Sequence, residues 1–345
     1  MHNLFINSKV EILPKIQQRA GEHKLGKKVH FIESVEKWTE EIQSHNSTFV
    51  VFGIAEDIGV RANFGRAGTS AAWDSFLESF VNIQHNSLCK GSWITLLGAL
   101  DVADEMGKAS RLNPHIQSDR HELFELVSLI DQKIQLVIRQ IILSDKIPVI
   151  IGGGHNNAYG NIKGLSTAKG EAVGAVNFDA HTDFRPLEGR HSGNGFSYAL
   201  NEGYLDNYFI FGLHENYLSD EMENSINNSL DKVKFNTYEA IAVRKETSFD
   251  AAIQNAEKHV TAKPFGLEID LDSLPMIGSS AFTPSGFSLT ELRQFIHHFA
   301  KNKNAAYLHI CEGAPPLACD KNPNLIGKLI AYLVTDFIKS KMKHS

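Results

Sequence analysis

Between residues 177 and 183 the chain reads Asn-Phe-Asp-Ala-His-Thr-Asp. Asp179, His181 and Asp183 therefore fall at every second position, straight after the apolar run Ala172 to Val176. Alternate side chains of a strand leave the same face, so this spacing predicts two carboxylates and an imidazole projecting together. Two other segments end in the same residue types. Ile147-Pro148-Val149-Ile150-Ile151 runs into Gly152-Gly153-Gly154-His155, and Phe265 to Asp272 reads Phe-Gly-Leu-Glu-Ile-Asp-Leu-Asp. The candidate metal ligands are thus His155, Asp179, His181, Asp183, Asp270 and Asp272. Carboxylate and imidazole donors without thiolate suit Mn2+, then Fe2+, Co2+ or Zn2+.

Geometry bears on the number of ions. Strand residues two apart are separated by roughly 6.5–7 Å, so Asp179 to Asp183 would span about 13 Å if extended. One ion holds its donors at about 2.0–2.2 Å and cannot gather that reach. Either the chain curls sharply after the strand, or two ions sit side by side at about 3.5–4 Å. Charge favours the pair, because two divalent cations cancel four aspartates. Without cations the four acids would crowd one place and raise one another's pKa. The alternative, solvated aspartates and two core histidines, would have to hold at all six positions together.

The elements that must position these groups alternate along the chain. Strand patterns are Phe49–Ile54, Trp93–Leu97, Ile147–Ile151, Ala172–Asp179, Tyr208–Gly212, Val233–Tyr238, Gly266–Asp270 and Ala306–Cys311. Their near-continuous apolar character fits strands buried on both faces of a parallel sheet. Helix patterns occupy Ala71–Val81, His121–Leu143, Phe249–His259, Leu289–Phe299 and Asn324–Ile338. In the second of these, Leu123, Leu126, Leu129, Ile130, Ile134 and Val137 form a core stripe. Such alternation implies an α/β fold with helices on both faces of the sheet, where ligands bind beyond the carboxyl ends of the strands. All six candidates fall there. We expect one domain over residues 1–345, with residues 1–45, including a charged helical stretch at 34–43, as an appendage packed on it.

A net charge of −6 and no dominant basic run argue against a nucleic-acid surface. The three cysteines show no paired framework or zinc-like spacing, which suits a reducing compartment. No apolar run approaches the ~20 residues of a membrane span, and the N-terminus lacks a signal-like core. A cytoplasmic location is expected. Phosphate-cradling, dinucleotide-binding and serine-elbow motifs are missing.

The Gly-Gly-Gly-His155 turn, the Asp179-Ala-His181-Thr-Asp183 run and the Asp270-Leu-Asp272 pair resemble, in order, three ligand motifs of the ureohydrolase (arginase-like) superfamily. The likeness extends from about Val50 to Pro315. It implies a three-layer α/β/α fold with a mostly parallel central sheet. It also implies two Mn2+ ions, attack by a metal-bridging hydroxide on an amidine or guanidine carbon, and a homo-oligomer, commonly a trimer or hexamer. Gly154 before His155, the Gly59–Gly68 loop with Arg61, Asn63 and Arg66, and Asp183-Phe184-Arg185 are closest to the formimidoylglutamase branch. Ser192-Gly193-Asn194 matches an arginase segment, but Phe196 stands where arginases place a proton-shuttling His. His191 lies five residues earlier. Glu312 matches the glutamate that pairs with the substrate cation.

That branch converts N-formimidoyl-L-glutamate and water to L-glutamate and formamide, a step of histidine degradation. In these terms Asp183 would ligate metal and carry a proton to the leaving amine, while Glu312 orients the cationic substrate. Arg185, Arg61, Arg66 and Arg190 are candidate anchors for substrate carboxylates, which an arginine fork fits bidentately. Asn63, Asn194 and Ser192 are candidate hydrogen-bonding groups. The other readings are a guanidino hydrolase releasing urea and an inactive metal-binding relative. Two departures stand out: Asn156 follows the first His, and Glu268 opens the third motif where Ser is usual. Glu268 shares a strand face with Asp270 and Asp272 and adds negative charge there; a base such as Arg or Lys is one candidate partner, which the sequence does not identify. His214 and His309 are expected to be core or surface groups.

Overall fold

The computed structural model describes residues 4–229, 231–319 and 324–343; the remaining positions of the expected 1–345 domain lie outside the described residues. The eight apolar runs all form strands of one sheet, and two short N-terminal strands bring it to ten among the described residues. The ten are β1 (Leu4–Phe5), β2 (His30–Phe31), β3 (Phe49–Gly53), β4 (Ile94–Leu100), β5 (Ile147–Ile151), β6 (Val173–Phe178), β7 (Leu205–Leu213), β8 (Val233–Thr237), β9 (Phe265–Asp270) and β10 (Ala305–Cys311). The order is β1-β4-β3-β5-β10-β9-β6-β7-β8, with β2 also on β4. Every pairing is parallel except β1 with β4. The N-terminal segment therefore does more than pack on the domain: β1 and β2 extend its sheet.

Helices cover both faces. Ala72–Phe80, Phe249–Val260, Leu289–Ala300 and Asn324–Lys343 bury one set of strand side chains. Gln117–Leu143 and Asn157–Lys169 bury the other. This is the three-layer α/β/α arrangement. Both faces are apolar because each strand residue meets one helix layer or the other, and each fully buried Val, Ile or Phe contributes about 1.5–3 kcal/mol. In the long helix Leu129 is exposed, so it does not belong to the expected core stripe; Val127 is buried instead.

The helix at Asn157–Lys169 carries no clear apolar stripe in sequence, yet it is buried along most of its length. A Cβ at Gly160 or Gly164 would lie 2.8 or 2.7 Å from Ile134 or Ile138, so small residues allow the two helices to touch. Chain order matters most at the centre. β9 and β10 are inserted between β5 and β6, which sets the carboxyl ends of four adjacent strands side by side. Among the described residues, no helix is long and apolar enough to cross a membrane. The three cysteines are free.

Candidate metal centre

After β5, Gly152 and Gly153 adopt φ of +90° and +75°, a region open to glycine without steric cost. The turn brings His155 back over the strand end. Glu56, beyond β3, clamps it. Its Oε1 accepts from Gly154 N (3.0 Å), Asn156 Nδ2 (3.2 Å) and Asn157 Nδ2 (2.9 Å), while Oε2 accepts from Ile58 N (2.7 Å) and Gly59 N (3.3 Å). Asn156 is thus a structural donor to this buried carboxyl. The sequence already held the signal for Glu56, an acid just beyond an apolar strand, as at the other ligand segments.

β6 ends at Phe178, so strand alternation does not carry the 179–183 run. The chain curls instead. Asp179 Oδ1 accepts from His181 N at 2.7 Å, and after β9 Asp270 Oδ1 accepts from Asp272 N at 2.8 Å. In both turns the first aspartate fixes the backbone two residues on, and the next candidate swings over the rim. Asp183 and Glu312 have φ of +44° and +59°. Such left-handed conformations cost about 1–3 kcal/mol each and persist where surrounding structure enforces them.

These turns gather all six candidates into two groups that share Asp179. His155, Asp179, Asp183 and Asp270 offer donor atoms within 4.8 Å of one another, as do Asp179, His181 and Asp272. His155 Nδ1 lies 2.7 Å from Asp183 Oδ2, 3.1 Å from Asp270 Oδ2 and 3.3 Å from Asp179 Oδ2. His181 Nδ1 lies 3.3 Å from Asp272 Oδ1 and 3.5 Å from Asp179 Oδ1. His155 Nδ1 and Asp272 Oδ1 are buried without a hydrogen-bond partner. Unmet donors of this chemistry, converging on two points, fit a pair of divalent cations.

The acids strain against one another. Burial, then the Asp179 charge, pushes Asp183 up to about 6. Burial, then Asp272, pushes Glu312 up to about 8. For His181, burial opposes the charged ring, but Asp272 and Asp179 outweigh it and hold its pKa well above the usual value.

Beside these groups opens a cavity of about 310 Å3, lined among others by Asn63, His181, Asp183, Arg185, Ser192, Tyr217, Asp270, Asp272, Ser280 and Glu312. Ligand pockets run from roughly 300 Å3 upward, so it suits a small molecule. Glu312 Oε1 accepts from His155 N at 2.8 Å. Arg185 lies 3.4 Å from Glu188, and its Nε has no hydrogen-bond partner. Asn63 Nδ2 donates to Ser192 Oγ at 3.2 Å. Tyr217, which the motifs did not indicate, stacks on His181 with ring centroids 4.7 Å apart.

Several expected substrate groups are engaged elsewhere. The Arg61 guanidinium donates to the carbonyls of Ala109 and Leu112 at 2.7 and 2.9 Å. Arg66 donates to those of Ser279 and Ser280 at 3.0 and 3.1 Å. Arg190 is buried, binding Asp131, Asn194 Oδ1 and the Asn156 carbonyl. Asn194 also donates to the Pro186 and Gly189 carbonyls. None of these four lines the cavity. His191 is fully buried against Glu188. Phe196 is core, stacked on Tyr208 at 4.2 Å. His214 is buried and stacked on Tyr217, and His309 is wholly enclosed. Glu268 finds neither Arg nor Lys; its partners are Tyr307 and His309.

Comparison with known proteins agrees with this geometry. A family model described as the arginase family matches residues 47–336. A formimidoylglutamase of Macrococcus caseolyticus is 31% identical over 166 residues, 48% of this chain and 46% of that protein, so this match spans about half of the relative's length. One from Streptococcus pyogenes is 26% identical over 306 residues, 83% of this chain and 84% of the relative. Among solved structures, formimidoylglutamase from Bacillus subtilis superposes with a TM-score of 0.72 at 17% identity, covering 95% of both chains. Trypanosoma cruzi formiminoglutamase with Mn2+ gives 0.68 at 20% identity, covering 88% of this chain and 97% of that one. These last two likenesses speak for the fold. With the model spanning strands β3 to β10 and every ligand segment, the chain belongs to the arginase family.

Proposed function

We propose that this protein hydrolyses N-formimidoyl-L-glutamate to L-glutamate and formamide, using a pair of Mn2+ ions. The observation that carries the proposal is the pair of donor groups sharing Asp179 beside a cavity that also holds Glu312 and Arg185. His155, Asp179, Asp183 and Asp270 would hold one ion. Asp179, His181 and Asp272 would hold the other. When bound, the ions supply Lewis acidity and an activated water near neutral pH.

The chain's own groups do the rest. Glu312 faces the cavity, and with cations offsetting the Asp272 and Asp183 charges that raise its pKa it would be a carboxylate able to pair with the planar amidinium and to orient its carbon. Asp183 lies on the same wall, placed to accept a proton from the attacking water and return it to the glutamate nitrogen as the C–N bond breaks. Arg185 lines the same cavity with its Nε unpaired and would serve as the fork for a substrate carboxylate. Asn63 and Ser192 add neutral hydrogen bonds. The named relatives support the same substrate.

The direct test is release of formamide and glutamate from N-formimidoyl-L-glutamate by Mn2+-loaded protein. Urea from arginine or agmatine, with no turnover of the formimidoyl compound, would replace this substrate with a guanidine. No turnover of either would leave the metal-binding relative.

A further inference from the structure

We propose that Glu268, gripped by Tyr307 and His309, is a positioning residue that holds His155 in the tautomer a metal ligand needs. The inference rests on the reading of the site as a two-ion centre. Strands β9 and β10 run side by side with Gly266 opposite Tyr307 and Glu268 opposite His309. A Cβ at Gly266 would lie 2.1 Å from Tyr307 Cζ. The missing side chain lets the tyrosine ring cross the neighbouring strand. Tyr307 Oη then donates to Glu268 Oε1 at 2.5 Å, and His309 Nδ1 lies 2.5 Å from Glu268 Oε2. All three residues are 0% exposed.

A carboxylate so deeply buried is costly unless donors satisfy it. Two short contacts do so here, and they fix its rotamer. Its Oε2 also lies 3.6 Å from His155 Nε2, a nitrogen that is buried and has no hydrogen-bond partner. The opposite nitrogen, Nδ1, faces Asp183, Asp270 and Asp179. A histidine that ligates through Nδ1 carries its proton on Nε2, and that proton needs an acceptor to fix ring and tautomer. Glu268 supplies it across a small adjustment of the ring. The edge of Phe196, at a centroid distance of 5.2 Å, supports the ring without competing for the proton.

The test compares wild type, Glu268→Gln and Tyr307→Phe by Mn2+ titration calorimetry, by electron paramagnetic resonance and by melting of the metal-free proteins. Wild type should take up two ions and give a spin-coupled pair. Glu268→Gln should melt like wild type without metal, keep one tight ion and bind the other about 10–100-fold more weakly. At matched loading it should show the signal of isolated Mn2+. Tyr307→Phe should weaken the same ion a few-fold. Two ions bound by Glu268→Gln with wild-type affinity overturn the proposal, as does equal weakening of both ions together with a lowered metal-free melting temperature. Should Glu268→Gln fail to fold, unchanged affinities in Tyr307→Phe overturn it. Wild type binding fewer than two ions would instead strike at the two-ion centre itself.

Discussion

Two polar regions adjoin at the carboxyl rim of the sheet, and they differ in what their side chains leave unmet. Above β5, β10, β9 and β6, histidine nitrogens and a carboxylate oxygen are buried without hydrogen-bond partners. In the loop that follows, Arg190 and Asn194 are equally polar and equally buried, but their groups bind Asp131, backbone carbonyls and each other. A buried polar atom left unpaired costs about 1–3 kcal/mol. The Arg190–Asn194 cluster is complete as it stands, whereas the rim keeps donor atoms free to take something added. Polarity alone therefore does not mark the site here; unmet capacity on histidine and carboxylate groups that converge does.

The sharpest way to break that contrast is to remove Asp179, the residue common to both donor groups. Asp179→Ala should lose both ions by elemental analysis and lower formamide release by more than about a thousandfold, beyond the loss from one oxyanion-type donor. Full metal content in that variant would end the two-ion reading. Glu312→Gln should keep its metal and lose about 10²–10³-fold in kcat. A kcat close to wild type would remove Glu312 from the reaction.

Arginines on the two sides of the contrast should behave differently. Arg185→Met should raise KM by roughly ten- to a hundredfold, the 1.5–3 kcal/mol scale of a hydrogen bond to a charged group, with kcat little changed. Steady-state kinetics on N-formimidoyl-L-glutamate would settle it.

The crowding of acids also predicts a pH dependence for the metal-free protein. Folding raises the Glu312 and Asp183 pKa values to about 8 and about 6, so the native state binds more protons than the unfolded chain between about pH 4 and those values. Stability then falls as pH rises through this window. His181, held above its ordinary value, acts in the same direction, since its contribution is full below about pH 6.5 and fades above. With chelator present, the melting temperature should drop from about pH 6.5 to 8, above the range in which His191, pushed down to about 4 by burial, acts the other way, and added Mn2+ should stabilise most at pH 8. A flat profile would contradict the crowding. The smallest effect belongs to Arg61→Met, which should cost about 1–2 kcal/mol in denaturant unfolding through the Ala109 and Leu112 carbonyls. Its KM should not move.

Much of the sheet was legible because strands buried on both faces must be apolar throughout, and Ile147–Ile151 begins and ends where its pattern does. Other elements were hidden. Asn157–Lys169 is enclosed on several sides and contains two glycines for close contact, so no helical stripe marks it. β1 and β2 are two residues each and draw their stability from β4. The candidate donors were visible because acids and histidines just beyond apolar runs are costly without a purpose. Arg61, Arg66, Arg190 and Asn194 looked equally purposeful, since a sequence shows a donor but not the carbonyl that accepts from it.

The sequence by itself determined the donor chemistry, its place beyond the strands and the alternation that builds a parallel sheet, because these depend on residue type and local order. Only the tertiary structure decided that β9 and β10 slot between β5 and β6, that aspartate-capped turns fold the candidate donors into two groups, and that Glu268 meets His309 and not a lysine. Those outcomes arise from contacts between segments distant in the chain, where packing and competing hydrogen bonds choose among partners that local sequence leaves equivalent.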